Sequence, residues 1–551
     1  MGNCFNSDDS NASSSMPPQT EEGLRGRLIR EDTRDVSDYY EVVKNLGEGS
    51  LGAVSSARKK GVGGSAYQTE IKGFFGSLRK IVGRADDSET QSVSAPAPSS
   101  EHSRLYALKA IQLGRVNDVF IEEMNNEIGI LRELDHPNIV KAYEVFQSKR
   151  QIQIVMDLCA GGDLFARGPY SEKQAASIIG QVTSAIAYMH SLNVAHRDLK
   201  FENIMWESQH PDAQVKLIDF GLSKKYLPGS VMREGVGTIY TMAPQVLQGV
   251  YTNQADLWSI GVITFMLLSS RKPFYHRKRK YVINRIMRCD FNFDSSSWTH
   301  VSQDAKDFVS ALLKLDPQER LTAEEALKHN WQQKSYSLSD RRPTGDIMET
   351  IHGHLIAFGE NSELKKISLM VVAHRSSPVE LMKIREAFDQ YDKGNDGTIT
   401  QLEFKTELSK LGKYSDQEID EIFKSIDIDK TGTIHYTEFL AATIEAHGFI
   451  EEERLAEAFD RIDSDDTGYI SRKNLRQLLG SDYSDIRANM LFADADINKD
   501  GKISFSEFVK AMRKENNDLK SQVSRESYDD QEKGDSKLLT ISAKIPGGRE
   551  K

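Results

Sequence analysis

Apolar and polar residues alternate along residues 38–58, on either side of a glycine-rich turn, and again in LYALKAIQL at 105–113. A two-residue period of this kind predicts β-strands. Between these runs, residues 60–103 are rich in Gly and Ser, contain Pro, and break the pattern. Helical and strand-like periods then alternate as far as Trp331, and residues 335–380 mix apolar with basic positions. From about 381 to 513 a unit recurs every 33–36 residues, each time an Asp-rich loop between amphipathic helical stretches. Residues 1–35 and the last 38 are polar and charged, and are expected to stay unstructured.

A chain of 551 residues is too long for one hydrophobic core. Hydrophobic residues at 38% and charged residues at 28% fit a soluble globular protein with disordered parts. The net charge of −11 sits in one region: residues 391–510 hold 26 Asp/Glu against 15 Lys/Arg, and the rest of the chain is neutral. Such a block suits metal cations or basic helices and argues against a nucleic-acid partner, which needs a basic face.

The three cysteines, Cys4, Cys159 and Cys289, are far apart and imply neither a disulfide framework nor a metal knot, so a reducing, cytoplasmic compartment is expected. The apolar run around Val262–Leu268 is too short to span a bilayer, and the first residues lack the apolar stretch of a secretory signal. Membrane contact is therefore expected to be peripheral. MGNC supplies it: Gly2 as a myristoylation site and Cys4 as a palmitoylation site, although the usual Ser/Thr position holds Asn6. One acyl chain alone binds marginally, so Cys4 would give the second signal. A monomer is the default.

GEGSLGAV places Gly47, Gly49 and Gly52 in a GxGxxG pattern after Leu46, with Val54 following. Glycines let backbone N–H groups approach phosphate oxygens. ALKAI then supplies Ala107 and Lys109, and Glu127 falls 18 residues beyond Lys109 on a helical stretch. HRDLKFEN supplies Asp198, Lys200 and Asn203, and DFG supplies Asp219. These ordered motifs resemble a eukaryotic protein kinase over roughly residues 40–331.

The resemblance implies ATP and Mg²⁺ as cofactors and proteins as substrates. Lys109 would hold the α/β-phosphates, oriented by Glu127; Asp219 and Asn203 would bind Mg²⁺. Asp198 would orient the substrate hydroxyl and Lys200 steady the γ-phosphate. Val54, Ala107, Met156, Asp157, Cys159 and Met205 would surround the nucleotide. Lys200 and Thr238 favour serine/threonine specificity.

Arg197 asks for an acidic partner, for which Glu234 is the candidate. Two departures stand out: Gln245 occupies the family's Glu position opposite Arg320, which gives up a charge-assisted bond, and Asp163 replaces a Glu that receives basic substrate side chains. Within the 60–103 insertion, IKGFFGSLRKIVGR has apolar residues at helical spacing with basic residues between. This suits a membrane-surface or calmodulin-target helix, or a loop with a small apolar cluster.

The repeats carry EF-hand loops, which need oxygen ligands at positions one, three and five, a carbonyl at seven, Gly at six and a bidentate Glu at twelve. The second loop (Asp427, Asp429, Thr431, Thr433, Glu438) and the fourth (Asp496, Asn498, Asp500, Lys502, Glu507) are complete. The first has Asp392, Asp396, Thr398 and Glu403, but Gly394 at position three. The third has Asp463, Asp465, Thr467 and Tyr469, but Asn474 at position twelve. Tight Ca²⁺ binding is expected at the second and fourth loops, weaker at the first, and weak or none at the third.

A kinase followed by a connector and four EF-hands resembles the calcium-dependent protein kinases of plants and protists over about residues 38–513. The implied fold is an α+β two-lobed kinase followed by an all-α, calmodulin-like domain. The expected division is a disordered 1–37, a kinase domain 38–331, a junction 332–380, EF-hand pairs 381–446 and 447–513, and a disordered tail 514–551. In that family the connector inhibits until calcium-loaded EF-hands remove it. Here Ile347, Met348, Ile351, Leu355, Ile356, Leu364, Ile367, Leu369 and Met370 give the connector the apolar character an opened EF-hand groove accepts.

Overall fold

The computed structural model describes residues 23–48, 52–60, 104–115, 118–335, 345–378, 380–447, 450 and 452–513. Gly2, Cys4, Gly49 and residues 61–103 of the insertion lie outside them.

Six strands form the sheet of the first lobe: β1 (Arg30–Asp32), β2 (Tyr40–Glu48), β3 (Gly52–Lys59), β4 (Leu105–Gln112), β5 (Ala142–Gln147) and β6 (Gln151–Asp157). Their order is β1-β5-β6-β4-β3-β2, antiparallel except for β1, which runs parallel to β5 with Arg30 opposite Glu144. The helix Asp118–Glu133 accompanies this sheet.

The second lobe is helical. The helix Gln254–Ser269 is buried along nearly its whole length, as its apolar composition requires. The helix Glu172–Ser191 is started by a capping box between Ser171 and Gln174. One apolar cluster runs through both lobes, from Ile29 to Trp331.

A second cluster is built from the connector helices Gly345–Phe358 and Glu363–Arg375 together with all four EF-hands. Loops are paired by short antiparallel strands, Thr398–Thr400 with Thr433–His435 and Tyr469–Ile470 with Ile503–Ser504. Among the described residues no helix is long and apolar enough to cross a membrane.

The expectation of disorder through residue 37 does not hold for residues 23–37. Leu24 and Leu28 are 2% and 3% exposed and belong to the EF-hand cluster, while Arg30–Asp32 form β1. The partners that cover these leucines lie more than 300 residues away in the chain, which no local pattern reveals.

Candidate active site and candidate metal centres

Register brings the cleft residues to one face of the sheet. Val54 on β3 pairs with Lys109 on β4, and Ala107, two residues from Lys109, pairs with Met156 on β6. Lys109 Nζ donates to Glu127 Oε1 at 2.6 Å and Oε2 at 3.0 Å, and lies 3.4 Å from Asp219 Oδ1. Burial pulls the Lys109 pKa down, but Glu127 and Asp219 outweigh it and hold the pKa raised. Burial likewise pushes Asp219 up, and Lys109 and His196 outweigh it to leave the carboxyl lowered.

Gly47 pairs with Val54, and nothing lies within 4 Å of where its Cβ would stand. Gly52 has a second reason to be glycine besides phosphate approach: a Cβ there would lie 1.9 Å from the Ala110 carbonyl oxygen. Asp157 follows Met156 at the end of β6, where only its main chain is left to face the cleft. Its carboxylate is taken by Arg104, Lys216, Tyr143 and the Lys141 N–H, so its side chain serves the back of the lobe. Cys159 is buried, which pushes its thiol up to about 12. Met205 bridges to Asp163, and the Asp163 carboxylate accepts the Phe165 N–H at 3.0 Å.

The second lobe supplies the remaining groups. Asp198 Oδ2 accepts from Lys200 Nζ at 2.6 Å, and Oδ1 accepts from the Thr238 hydroxyl at 2.7 Å. Asn203 Nδ2 donates to the Asp198 carbonyl at 3.0 Å. Arg197 Nη1 reaches Glu234 Oε2 at 3.2 Å, and Lys224 holds the other Glu234 oxygen. Lys224 and Arg197 take the Glu234 pKa down to about 2. Gly237, at φ 113°, cannot carry a side chain: a Cβ would meet the Arg197 carbonyl oxygen at 2.6 Å.

Sequence reading missed Asp256. This buried carboxylate on helix Gln254–Ser269 accepts the His196 and Arg197 N–H groups at 2.9 and 2.8 Å and His190 Nε2 at 3.0 Å. It thereby fixes the loop that presents Asp198. An acidic residue inside an all-round apolar helix was the available signal.

The four metal loops share one backbone. Positions four and six have positive φ in each: Asn395 and Gly397, Lys430 and Gly432, Asp466 and Gly468, Lys499 and Gly501. The first-position Asp accepts the N–H of position six in every loop, at 2.8 Å for Asp392, 3.0 Å for Asp427, 2.7 Å for Asp463 and 2.9 Å for Asp496.

Position twelve is also the third residue of the following helix, and caps it. Glu403 Oε2 accepts the Thr400 N–H at 2.9 Å, Glu438 Oε2 that of His435 at 2.8 Å, and Glu507 Oε2 that of Ser504 at 3.0 Å. Their Oε1 atoms turn into the loops. Asp427, Asp429 and Glu438 bring oxygens within 4.8 Å of one another, a donor set suited to a hard cation. Burial, then the neighbouring carboxylate, pushes Asp392 and Glu438 well above the usual range. Asp396 and Thr398 bond to each other in the first loop, and Thr431 to the Thr433 carbonyl in the second. In the fourth, Asp500 accepts from Asn498 and from the Lys502 N–H.

The EF-hand pairs sit directly on the two-lobed unit. Thr437 donates N–H and hydroxyl to Asp135 at 2.8 and 2.6 Å, and Arg385 pairs with Glu207 at 3.0 Å. Arg375 pairs with Glu144, and Gly397 packs so closely on His136 that a Cβ would lie 1.9 Å from its ring.

Comparison with known proteins agrees with this architecture. The family model "Protein kinase domain" matches residues 91–332, and "EF-hand domain pair" matches 381–444 and 452–513. Calcium-dependent protein kinase 34 of Arabidopsis thaliana is 34% identical over 93% of this chain and 91% of its own length. Calcium-dependent protein kinase 17 of the same plant is 34% identical over 92% and 89%. Calcium-dependent protein kinase 11 of Oryza sativa subsp. japonica is 38% identical over 72% and 69%.

Proposed function

Because the chain belongs to the calcium-dependent protein kinases, we propose that calcium frees its active site by drawing the connector, residues 345–375, into the EF-hand sensor. The enzyme is a serine/threonine protein kinase, and its EF-hands make it calcium-regulated. The inhibitory role of the connector rests on one observation. Met348, Ile351, Leu355, Phe358, Leu364 and Ile367 are all buried in the sensor's cluster, and among the described residues none belongs to the kinase's. Lys365 is buried with them and pairs with Glu445 at 3.2 Å. An apolar segment of this kind cannot stay in water when the sensor closes, and the catalytic domain is its nearest alternative cover.

The residues fit ATP and Mg²⁺. Lys109, held by Glu127, would meet the α/β-phosphates, Asp219 and Asn203 would hold the metal, and the paired strand ends at Gly47 and Val54 would flank the phosphates. Bound Mg²⁺ neutralises charge on the phosphate oxygens. Asp198 receives the substrate hydroxyl proton, with its oxygens oriented by Thr238 and Lys200, and Lys200 steadies the transferred group. The Glu234 carboxylate on Arg197 does the work of a fixed negative charge in that loop. Calcium would be held tightly by the second and fourth loops and more weakly by the first, which has Gly394 at position three. Acylation at Gly2 and Cys4 would add a peripheral membrane anchor.

The test is a chain ending at Ser335, which keeps the kinase cluster whole. It is expected to phosphorylate a basic serine peptide equally with and without calcium. A soluble product that stays inactive would end the inhibitory account.

A further inference from the structure

The third loop does not fit calcium. Asn474 Oδ1 accepts the Ser471 N–H at 2.8 Å, so its amide nitrogen must face the loop, where it donates to Asp465 Oδ1 at 2.9 Å. A donor therefore points where the other loops aim a carboxylate oxygen. Asp465 also receives Lys473 Nζ at 3.2 Å. The substitution keeps the helix cap and loses the cation site.

Arginines from the far end of the chain contact this loop instead. Arg30 Nη2 donates to the Ser464 carbonyl at 3.2 Å and lies 3.5 Å from Asp466. Arg34 pairs with Asp466, and Tyr39 donates its hydroxyl to the same carboxylate at 3.1 Å. From the sensor side, Arg461 donates to the carbonyls of Leu28 and Arg27. The Leu24 N–H bonds Asp482 at 2.8 Å, and Arg25 lies 3.5 Å from Asp429.

We propose that residues 24–34 are a clasp that fastens the sensor to the N-terminal lobe, with the third EF loop as its socket for arginine. One end of the clasp is buried in the sensor through Leu24 and Leu28. The other end is β1, paired to β5. Glu31 of β1 also pairs with Arg132, on the helix that carries Glu127. The sensor is thus joined through a few residues to the element that orients Lys109. This is separate from the connector: it concerns what holds the sensor in place, and it stands or falls without the inhibitory model.

The test is a charge exchange in the full-length protein at saturating calcium. Lys430 and Lys499 occupy the same positive-φ position as Asp466 in the second and fourth loops, so Asp466→Lys keeps the loop backbone. Arg34→Asp and Asp466→Lys are each expected to speed amide exchange at residues 24–32 on the order of 10-fold, and together to restore it to within about 2-fold. Calcium bound per chain, counted by native mass spectrometry, is expected to be unchanged by Asp465→Ala. Unaltered exchange in both single variants, no recovery in the pair, or the loss of one calcium ion from Asp465→Ala would each overturn the proposal.

Discussion

Arg375, the last residue of the second connector helix, is ion-paired with Glu144 of β5, and each side chain is 3% exposed. Burial alone would push the Glu144 carboxyl up, but Lys59, Arg375 and Arg30 outweigh it and hold it well below the usual range. The charge is therefore present in the docked molecule. Removing one partner strands the other in a water-poor place, and such losses cost about 3–5 kcal/mol. Glu144→Ala is expected to lower the unfolding free energy by that order in calcium, measured by urea titration. Replacing both residues with methionine is expected to cost less, because Arg375 is no longer stranded and Lys59 keeps Asp460 at 3.3 Å.

Asp198 has both oxygens occupied by donors that steer it, and the two donors differ in consequence. Asp198→Asn removes the proton acceptor and is expected to lower kcat by about 10²–10⁴-fold with the KM for ATP little changed. Thr238→Val only removes a steering hydroxyl, and a fall of about 10-fold is expected. Steady-state kinetics on a serine peptide separate the two.

Gln245 is fitted to its place more closely than its sequence position suggests. Its oxygen accepts from Arg320 at 2.7 Å while its amide donates to the Leu315 carbonyl. A glutamate would strengthen the first contact and set an oxygen against an oxygen in the second. Gln245→Glu is thus expected to change stability by less than about 1 kcal/mol. Gln245→Ala leaves buried Arg320 short of an acceptor and is expected to cost about 1–3 kcal/mol. Thermal unfolding of the two variants decides. Burial takes the Arg320 pKa down to about 10.

His136 lies beneath Gly397 of the first metal loop, with Nε2 3.0 Å from Ser184 Oγ and Nδ1 accepting the Asn138 N–H. Burial takes its pKa down to about 3. The unfolded chain binds this proton near pH 6.5 and the folded one does not, so stability is full above 6.5 and falls as pH drops towards 3. The loss is about 1.4 kcal/mol per pH unit. His136→Gln is expected to flatten the pH dependence of the melting temperature between pH 6.5 and 4 relative to the parent. An unchanged slope would remove His136 from the account.

Much of this was legible in the chain because the chemistry is local. Lys109, Asp198, Asn203 and Asp219 sit in short motifs whose spacing carries their roles, and the EF-hand loops state their ligands within twelve residues. What was hidden depends on distant partners. Leu24 and Leu28 read as two apolar residues in a charged stretch until the sensor covers them. Thr437 and Asp135, 302 residues apart, look like an ordinary helix residue and a loop acid. Nothing near Asp157 in the chain shows that its side chain anchors Arg104 and Lys216. Asn474 was visible as a lost ligand, but its service to the helix cap, and the arginines over its loop, were not.

Transfer of the ATP γ-phosphate to a basic serine peptide by the full-length protein, in chelator and then in micromolar free calcium, is the direct test of the coupling between the sensor and the cleft. The account predicts little transfer in chelator, strong transfer with calcium, and loss of the calcium response in a Glu438→Gln, Glu507→Gln variant. Equal rates in chelator and in calcium would contradict it.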